Sequence, residues 1–253
     1  MDHSPGAHYS RRLWAGGEVT FRGGGAGGSA GEDAPRGMLV LDGQPWTCTE
    51  TIGDVRVKDG SSGSAMAQGQ EKIFVDVWRR YALGHPAAQE SLPWSIEERR
   101  TLVFMNPGED GDAPTGGTPK LIKYPHEAAH SVRILPSARH LFHFSALTFN
   151  AHAIHLDPGY ARSVDGHRAP LVHGPLTLAL MLRVLTAYSG QLVSRLVYRN
   201  HAPLYVDEPL TVKVRPVPAR DGRGDGGATW DAWVEGPDGG LAAKGTATMA
   251  AGP

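Results

Sequence analysis

The chain predicts an α+β fold built on an antiparallel sheet. Three observations carry that expectation. Most apolar stretches are short, rich in Val, Ile, Thr and Trp, and bounded by Gly, Pro and Asp clusters, as strands are. One stretch, from Pro175 to Tyr188, is instead apolar at every turn of a helix. Finally, the order strand, glycine loop, strand, turn, strand over 45–105 recurs over 209–249, so two halves of similar build are expected.

In chain order, residues 1–10 read as unstructured. Leu13–Arg22 reads as a strand interrupted at Gly16-Gly17 by a bulge or a close backbone approach. Gln44–Asp59 reads as a long bent strand. Lys72–Leu83 alternates with Ile73, Val75 and Val77 on one face and Phe74, Asp76 and Trp78 on the other. Ser95–Met105 is a strand, or a helical turn running into one. Glycine and proline concentrate in Gly23–Gly31, Asp59–Gly69 and Pro107–Pro119, read as loops. Residues 106–139 hold few apolar positions and read as a linker. The second half then runs as a strand from near His140, a polar segment, the helix, and strands near 192–205, 210–218, 228–236 and 241–249. The helix carries Leu176, Leu178, Leu180, Met181, Leu182, Val184 and Leu185, so it is expected to be apolar on all sides and wrapped by the sheet.

Composition narrows the function. A net charge of -1 lacks the basic surplus of a general nucleic-acid binder. Cys48 is the single cysteine, which excludes an internal disulfide and a cysteine metal cluster. No run of 18 apolar residues is present to make a membrane span, and the N-terminus shows neither an apolar signal core nor a long Arg-rich amphipathic stretch.

Residues 141–182 are the densest in chemistry. They hold five of the twelve histidines, His143, His152, His155, His167 and His173, and two helix starts. Asp157-Pro158 reads as an N-cap with proline at the first helical position, and His173-Gly174-Pro175 opens the apolar helix. His152 and His155 are three apart, but no partner at a recurring spacing completes a metal site, so no metal is expected.

The segments SALTFNAHAIHLD and VDGHRAPLVHGPL, with HSPG, RRLWAGG and ERRTLVFM ahead of them, resemble the MaoC-type hydratases and dehydratases. The resemblance is strongest to their fungal mitochondrial branch, the hydroxyacyl-thioester dehydratase type 2 proteins, and to the bacterial mesaconyl-C4-CoA hydratases. It implies a double hot dog, in which each antiparallel sheet wraps a central helix. The expected division is an N-terminal partial repeat over 1–105, a linker over 106–139 and a catalytic repeat over 140–253. The first repeat is expected to be truncated at its N-terminus, and a second copy of the chain, in a homodimer, is the candidate partner to complete it. The implied substrate is a 3-hydroxyacyl or enoyl chain carried as a CoA or acyl-carrier-protein thioester, with no separate cofactor, and the implied location is the mitochondrion.

Reversible addition of water to an α,β-unsaturated thioester needs a base, an acid and donors for the thioester oxygen. His155 is the candidate for proton transfer, since imidazole titrates near neutrality; the plainer alternative is a buried histidine at a strand end. Asn150 stands where typical MaoC-type hydratases place an aspartate, whereas the branch this chain resembles tends to carry FN at this place. An amide cannot act as a base at neutral pH and only donates and accepts hydrogen bonds, so its expected role is to orient water or the thioester, and its plainer alternative is a turn. Gly174 is expected to offer its backbone N–H to the thioester oxygen at the helix start. His152 is a candidate to line the entrance and His173 to order the loop; Arg195 and Arg199 are candidates to meet the phosphates of the carrier, with solvated surface arginines as the plainer reading. The leading reading is a (3R)-hydroxyacyl-thioester dehydratase of mitochondrial fatty acid synthesis. The alternatives are a hydratase of a short dicarboxylic acyl-CoA such as mesaconyl-C4-CoA, and a non-catalytic acyl-binding protein.

Overall fold

The structure, a computed structural model, describes residues 5, 6, 9, 11–22, 39, 43, 45–58, 71–84, 94–105, 121–218 and 227–250. The three glycine patches and most of residues 1–10 lie outside these. The described strands are β1 (Arg11–Phe21), β2 (Trp46–Lys58), β3 (Lys72–Leu83), β4 (Ile96–Met105), β5 (His130–Ile134), β6 (Val193–Asn200), β7 (Leu210–Pro216), β8 (Thr229–Glu235) and β9 (Leu241–Met249). They form one sheet in the order β2-β3-β4-β1-β6-β9-β8-β7-β5. Every pairing is antiparallel. Three helices, α1 (Ala138–Thr148), α2 (Pro158–Ser163) and α3 (Gly174–Ser189), and a 3-10 turn at Ala153–His155 complete it.

Each side of the β1–β6 joint repeats the other. Reading outward, β1-β4-β3-β2 answers β6-β9-β8-β7. This is the two-half echo of the sequence, now seen as strand order, and it is the layout of a double hot dog. At the joint, Gly16 to Thr20 pair with Arg199 to Arg195. The Gly16-Gly17 expectation has a clear cause. The register with β4 shifts between Trp14 and Gly16. A Cβ on Gly16, whose φ is +149°, would stand 2.4 Å from the Tyr198 carbonyl oxygen, and one on Gly17 would stand 2.0 Å from that of Arg99. Only glycine lets the two neighbouring strands close on β1 here.

In the second half, α3 lays Leu178, Met181, Val184 and Leu185 into a core with Leu196, Val212, Val214, Ala232 and Ala247. Burying each large side chain contributes about 1.5–3 kcal/mol. Gly245 lets the helix and β9 approach, since a Cβ there would come within 2.8 Å of Leu196 and 3.0 Å of Met181. The sheet covers α3 on one side only, leaving Ala179, Arg183 and Ala187 exposed. The all-round apolar burial expected of this helix is therefore corrected to a single buried face with two partly covered flanks.

The described part of the first half contributes four strands and no helix. Ile73, Val75, Val77 and Phe104 form its core with Leu102 and Tyr9. Cross-strand register puts Arg12 opposite Phe104 and Trp14 opposite Leu102, and these in turn opposite Ile73 and Val75. Arg12 and Trp14 therefore share this core face.

Two expectations change. The strand expected from near His140 is α1, begun by a Ser137 capping box in which the Ser137 hydroxyl accepts from the His140 N–H and the His140 ring accepts from the Ser137 N–H. Its buried residues, Leu141 and Ser145, are four apart, a helical spacing. The stretch 106–139, expected to be a linker, holds β5 and the first residues of α1. β5 is a short edge strand whose Val132 and Ile134 alternate with polar residues against β7. Elsewhere the strands agree with expectation to within a few residues, and Ile96–Met105 is strand throughout, with no helical turn leading into it.

Candidate active site

The site is assembled by α1, the loop after it and the start of α3. α1 ends at Phe149, whose φ of +51° turns the chain back. Asn150 then donates its N–H to the Ser145 carbonyl at 3.0 Å. The 3-10 turn follows and runs into the Asp157 cap of α2, whose carboxylate accepts from the N–H groups of Gly159 at 2.7 Å and Tyr160 at 3.1 Å. The loop returns beside the turn, where the Leu171 N–H donates to the Ile154 carbonyl at 3.0 Å. Two residues later, His173 caps α3.

His155 has a defined tautomer. Its Nδ1 lies 2.8 Å from the Leu171 carbonyl oxygen. A carbonyl only accepts, so Nδ1 carries the hydrogen and Nε2 keeps its lone pair. Burial, then the neighbouring His173, push the His155 pKa down to about 3, against the opposing pull of the Leu171 carbonyl. At neutral pH the ring is an uncharged base.

The imidazole of His173 stacks on that of His155, with centroids 3.7 Å apart and planes 22° from parallel. His173 is fully buried, and its Nε2 lies 2.8 Å from the Ser145 hydroxyl. Burial and then His152 lower its pKa to about 4. Ser145 was not singled out from the sequence; a lone serine at a helical core position is the signal that was present.

Asn150 is half-buried and its Oδ1 accepts the His152 N–H at 3.3 Å, leaving the amide N–H groups as the donor end. Gly174 is the first residue of α3. Its N–H finds no hydrogen-bond partner among the described residues, as is normal in a first helical turn. Trp14 and Asn200 form the wall beside it, each 3.5 Å from the place a Gly174 Cβ would take. Neither was singled out from the sequence. Trp14 comes from the other half of the molecule, and linear order does not reveal that approach.

The remaining candidates divide. His152 stands edge-on to His155 at 5.8 Å. His167 lies toward Tyr205, and His143 is exposed on α1. Arg195 and Arg199 alternate with buried Leu196 and Tyr198, so they point to the face of β6 away from α3. Arg195 is paired there with Glu18 at 2.6 Å. Their expected contact with a carrier's phosphates is therefore set aside. Among the described residues no three His, Cys, Asp or Glu side chains converge as a metal-holding group.

Comparison with known proteins bears on the fold and on the family. The model of the hydroxyacyl-thioester dehydratase type 2 family matches residues 1–206. The chain is 29% identical over 245 residues to the mesaconyl-C(4)-CoA hydratase of Chloroflexus aurantiacus, covering 97% of this chain and 72% of that protein. It is 31% identical over 120 residues to the mitochondrial hydroxyacyl-thioester dehydratase type 2 of Schizosaccharomyces pombe, covering 46% of this chain and 38% of that protein. The crystal structure of a MaoC-like dehydratase from Phytophthora capsici superposes with a TM-score of 0.63 at 13% identity, over 100% of this chain and 75% of that one, a likeness of fold. On the strength of a family match that spans most of its length, the chain belongs to the hydroxyacyl-thioester dehydratase type 2 family.

Proposed function

We propose that His155 is the proton-transfer group of this chain, that Asn150 holds the water or hydroxyl, and that the start of α3 at Gly174 receives the thioester oxygen. Family membership makes the chain a hydro-lyase acting on 3-hydroxyacyl and enoyl thioesters. The observation that supports the residue assignment is the Nδ1–H bond from His155 to the Leu171 carbonyl, which leaves Nε2 as the ring nitrogen with a lone pair to offer a substrate.

In the dehydration direction, Nε2 takes the Cα proton while charge builds on the thioester oxygen. The free N–H of Gly174 and the dipole of α3 favour that charge. The C–O bond at Cβ then breaks, and the imidazolium returns its proton to the departing hydroxyl to give water. An imidazolium as acidic as this one is a strong donor for that second step. Asn150 titrates at no relevant pH, so one group serves both ends. A single group working from one side predicts syn elimination, and hydration is the same path reversed. Positioned proton transfer of this kind is worth about 10²–10⁴-fold.

The substrate is proposed to arrive as a CoA or acyl-carrier-protein thioester, with no further cofactor. A mitochondrial setting is proposed from the fungal relative's printed name, and selective labelling of mitochondria by a tagged full-length protein would test it.

One observation favours a short dicarboxylic acyl chain as a second reading. Arg12 shares the face of β1 with Trp14, and its charge reaches His155. A guanidinium there would meet a carboxylate at the far end of a short acyl group. The deciding assay follows loss of the enoyl-thioester absorbance with crotonyl-CoA and with mesaconyl-C4-CoA, for wild type, His155→Ala and Arg12→Gln. Turnover that vanishes in His155→Ala supports the base assignment, and unchanged turnover refutes it. A rise in KM of tenfold or more in Arg12→Gln, confined to the dicarboxylic substrate, selects the second reading.

A further inference from the structure

The mechanism above uses His155 and leaves its neighbour His173 idle. We propose that Ser145 and His173 form a buried positioning pair that fixes the His155 imidazole and ties it to the turn carrying Asn150. The inference rests on His155 being the reacting base.

His173 is 0% exposed, so it meets no substrate and acts only through what it touches. Its ring supplies a flat floor beneath His155 at 3.7 Å. Its Nε2 is held 2.8 Å from the Ser145 hydroxyl, and Phe144 packs against the ring at 4.9 Å. Its Nδ1 is buried without a hydrogen-bond partner. An orphaned lone pair is tolerated better than an orphaned N–H, so the hydrogen sits on Nε2 and is donated to Ser145. A single tautomer and a single ring orientation follow.

Ser145 works at both ends. Its hydroxyl holds the floor under His155, while its carbonyl accepts the Asn150 N–H at 3.0 Å. One residue of α1 thereby sets the relative place of the base and the orienting amide. Those two groups must bracket the same substrate carbons, and a misplacement of about 1 Å in such an arrangement can cost about 10²-fold in rate. The charged and titratable groups facing His155 are His173 beneath it, His152 from the preceding turn and Arg12 from β1.

The test compares wild type with Ser145→Ala, Ser145→Thr, His173→Phe and the Ser145→Ala/His173→Phe double variant. Each is assayed for kcat and KM across pH, and each is examined substrate-free by ¹⁵N NMR of the His155 ring. The proposal expects kcat to fall at least about tenfold in Ser145→Ala and His173→Phe with KM within about twofold. Thr, which keeps the hydroxyl, should restore most of it. The double variant should be no worse than the worse single, since the two act as one unit. His155 should be purely the Nδ1–H tautomer in wild type and a mixture in the variants, with its titration midpoint raised in His173→Phe. Unchanged kcat together with an unchanged His155 tautomer overturns the proposal, whatever the melting temperatures. A wild type with no turnover on any thioester, but with variants that still alter the His155 tautomer, would sink the base assignment and leave the pair standing.

Discussion

The side-chain amide of Asn200 donates to the Trp14 carbonyl at 2.8 Å, across the joint between β6 and β1. This bond fixes the wall of the site to the second half of the molecule. Replacing Asn200 with Ala leaves a part-buried carbonyl unpaired at a cost of about 1–2 kcal/mol. For a chain of this size that lowers the melting temperature by about 2–8 °C. Trp14 should loosen beside Gly174, so KM should rise more than kcat falls. Thermal denaturation with steady-state kinetics on the same sample checks both halves.

Gly174→Ala separates a packing role from a substrate role. A Cβ there would sit at ordinary contact distance, 3.5 Å from Asn200 and Trp14, and Gly174 is not among the glycines with positive φ. The variant should fold with stability equal to wild type or up to about 1 kcal/mol higher. If the thioester must approach this N–H, kcat/KM should fall at least about tenfold. Full activity in the folded variant would remove Gly174 from the site.

Two neutral buried histidines make stability depend on acid. The folded pKa values of about 3 for His155 and about 4 for His173 lie below the ordinary 6.5. Between those values the unfolded chain binds more protons than the folded one, so stability declines as pH drops below about 6.5, and what these two groups contribute is lost by the time pH falls below their folded values. Urea midpoints measured from pH 7 to 4 should fall, and the slope should be shallower in His173→Phe. Activity per folded molecule should meanwhile hold level down to pH 5, because His155 stays neutral. A loss centred near 6.5 would mean a solvent-exposed base.

Phe149 is 97% exposed and holds φ at +51°, a region disfavoured for a bulky residue by about 1–2 kcal/mol. Glycine there loses no burial and removes that strain. Phe149→Gly should raise the melting temperature of the isolated chain by a few degrees. A drop would show that the ring packs on something in solution.

Much of this was legible because it is local. The alternation in Lys72–Leu83 and the Asp157-Pro158 cap act through near neighbours and are found as read, whereas the glycines at the joint announce a close approach without saying that the partners are the distant Tyr198 and Arg99. His155, Asn150 and Gly174 sit in one contiguous segment, which is what let the sequence single them out together. α1 was misread because its apolar run continues to Leu147 and Phe149, which are exposed, and this blurred the Leu141–Ser145 periodicity. Ser145, Trp14 and Asn200 were invisible for another reason. Their importance comes from contacts across α1, β1 and β6, and a serine, a tryptophan and an asparagine carry no spacing signature that announces such contacts.

The joint between the halves also sets an order of events. Glu18 of β1 meets Arg195 of β6, 177 residues along the chain. Closing a loop of that length costs on the order of 4–5 kcal/mol before any strand pair offsets it. At about 5–20 residues per second of synthesis, β1 waits roughly 9–35 seconds for β6 to emerge. Trp14, which walls the site, rides on β1, made long before β6. The wall on β1 can be completed as a site only after α3 and β6 exist, so catalytic competence appears late in folding and reports that both halves have joined.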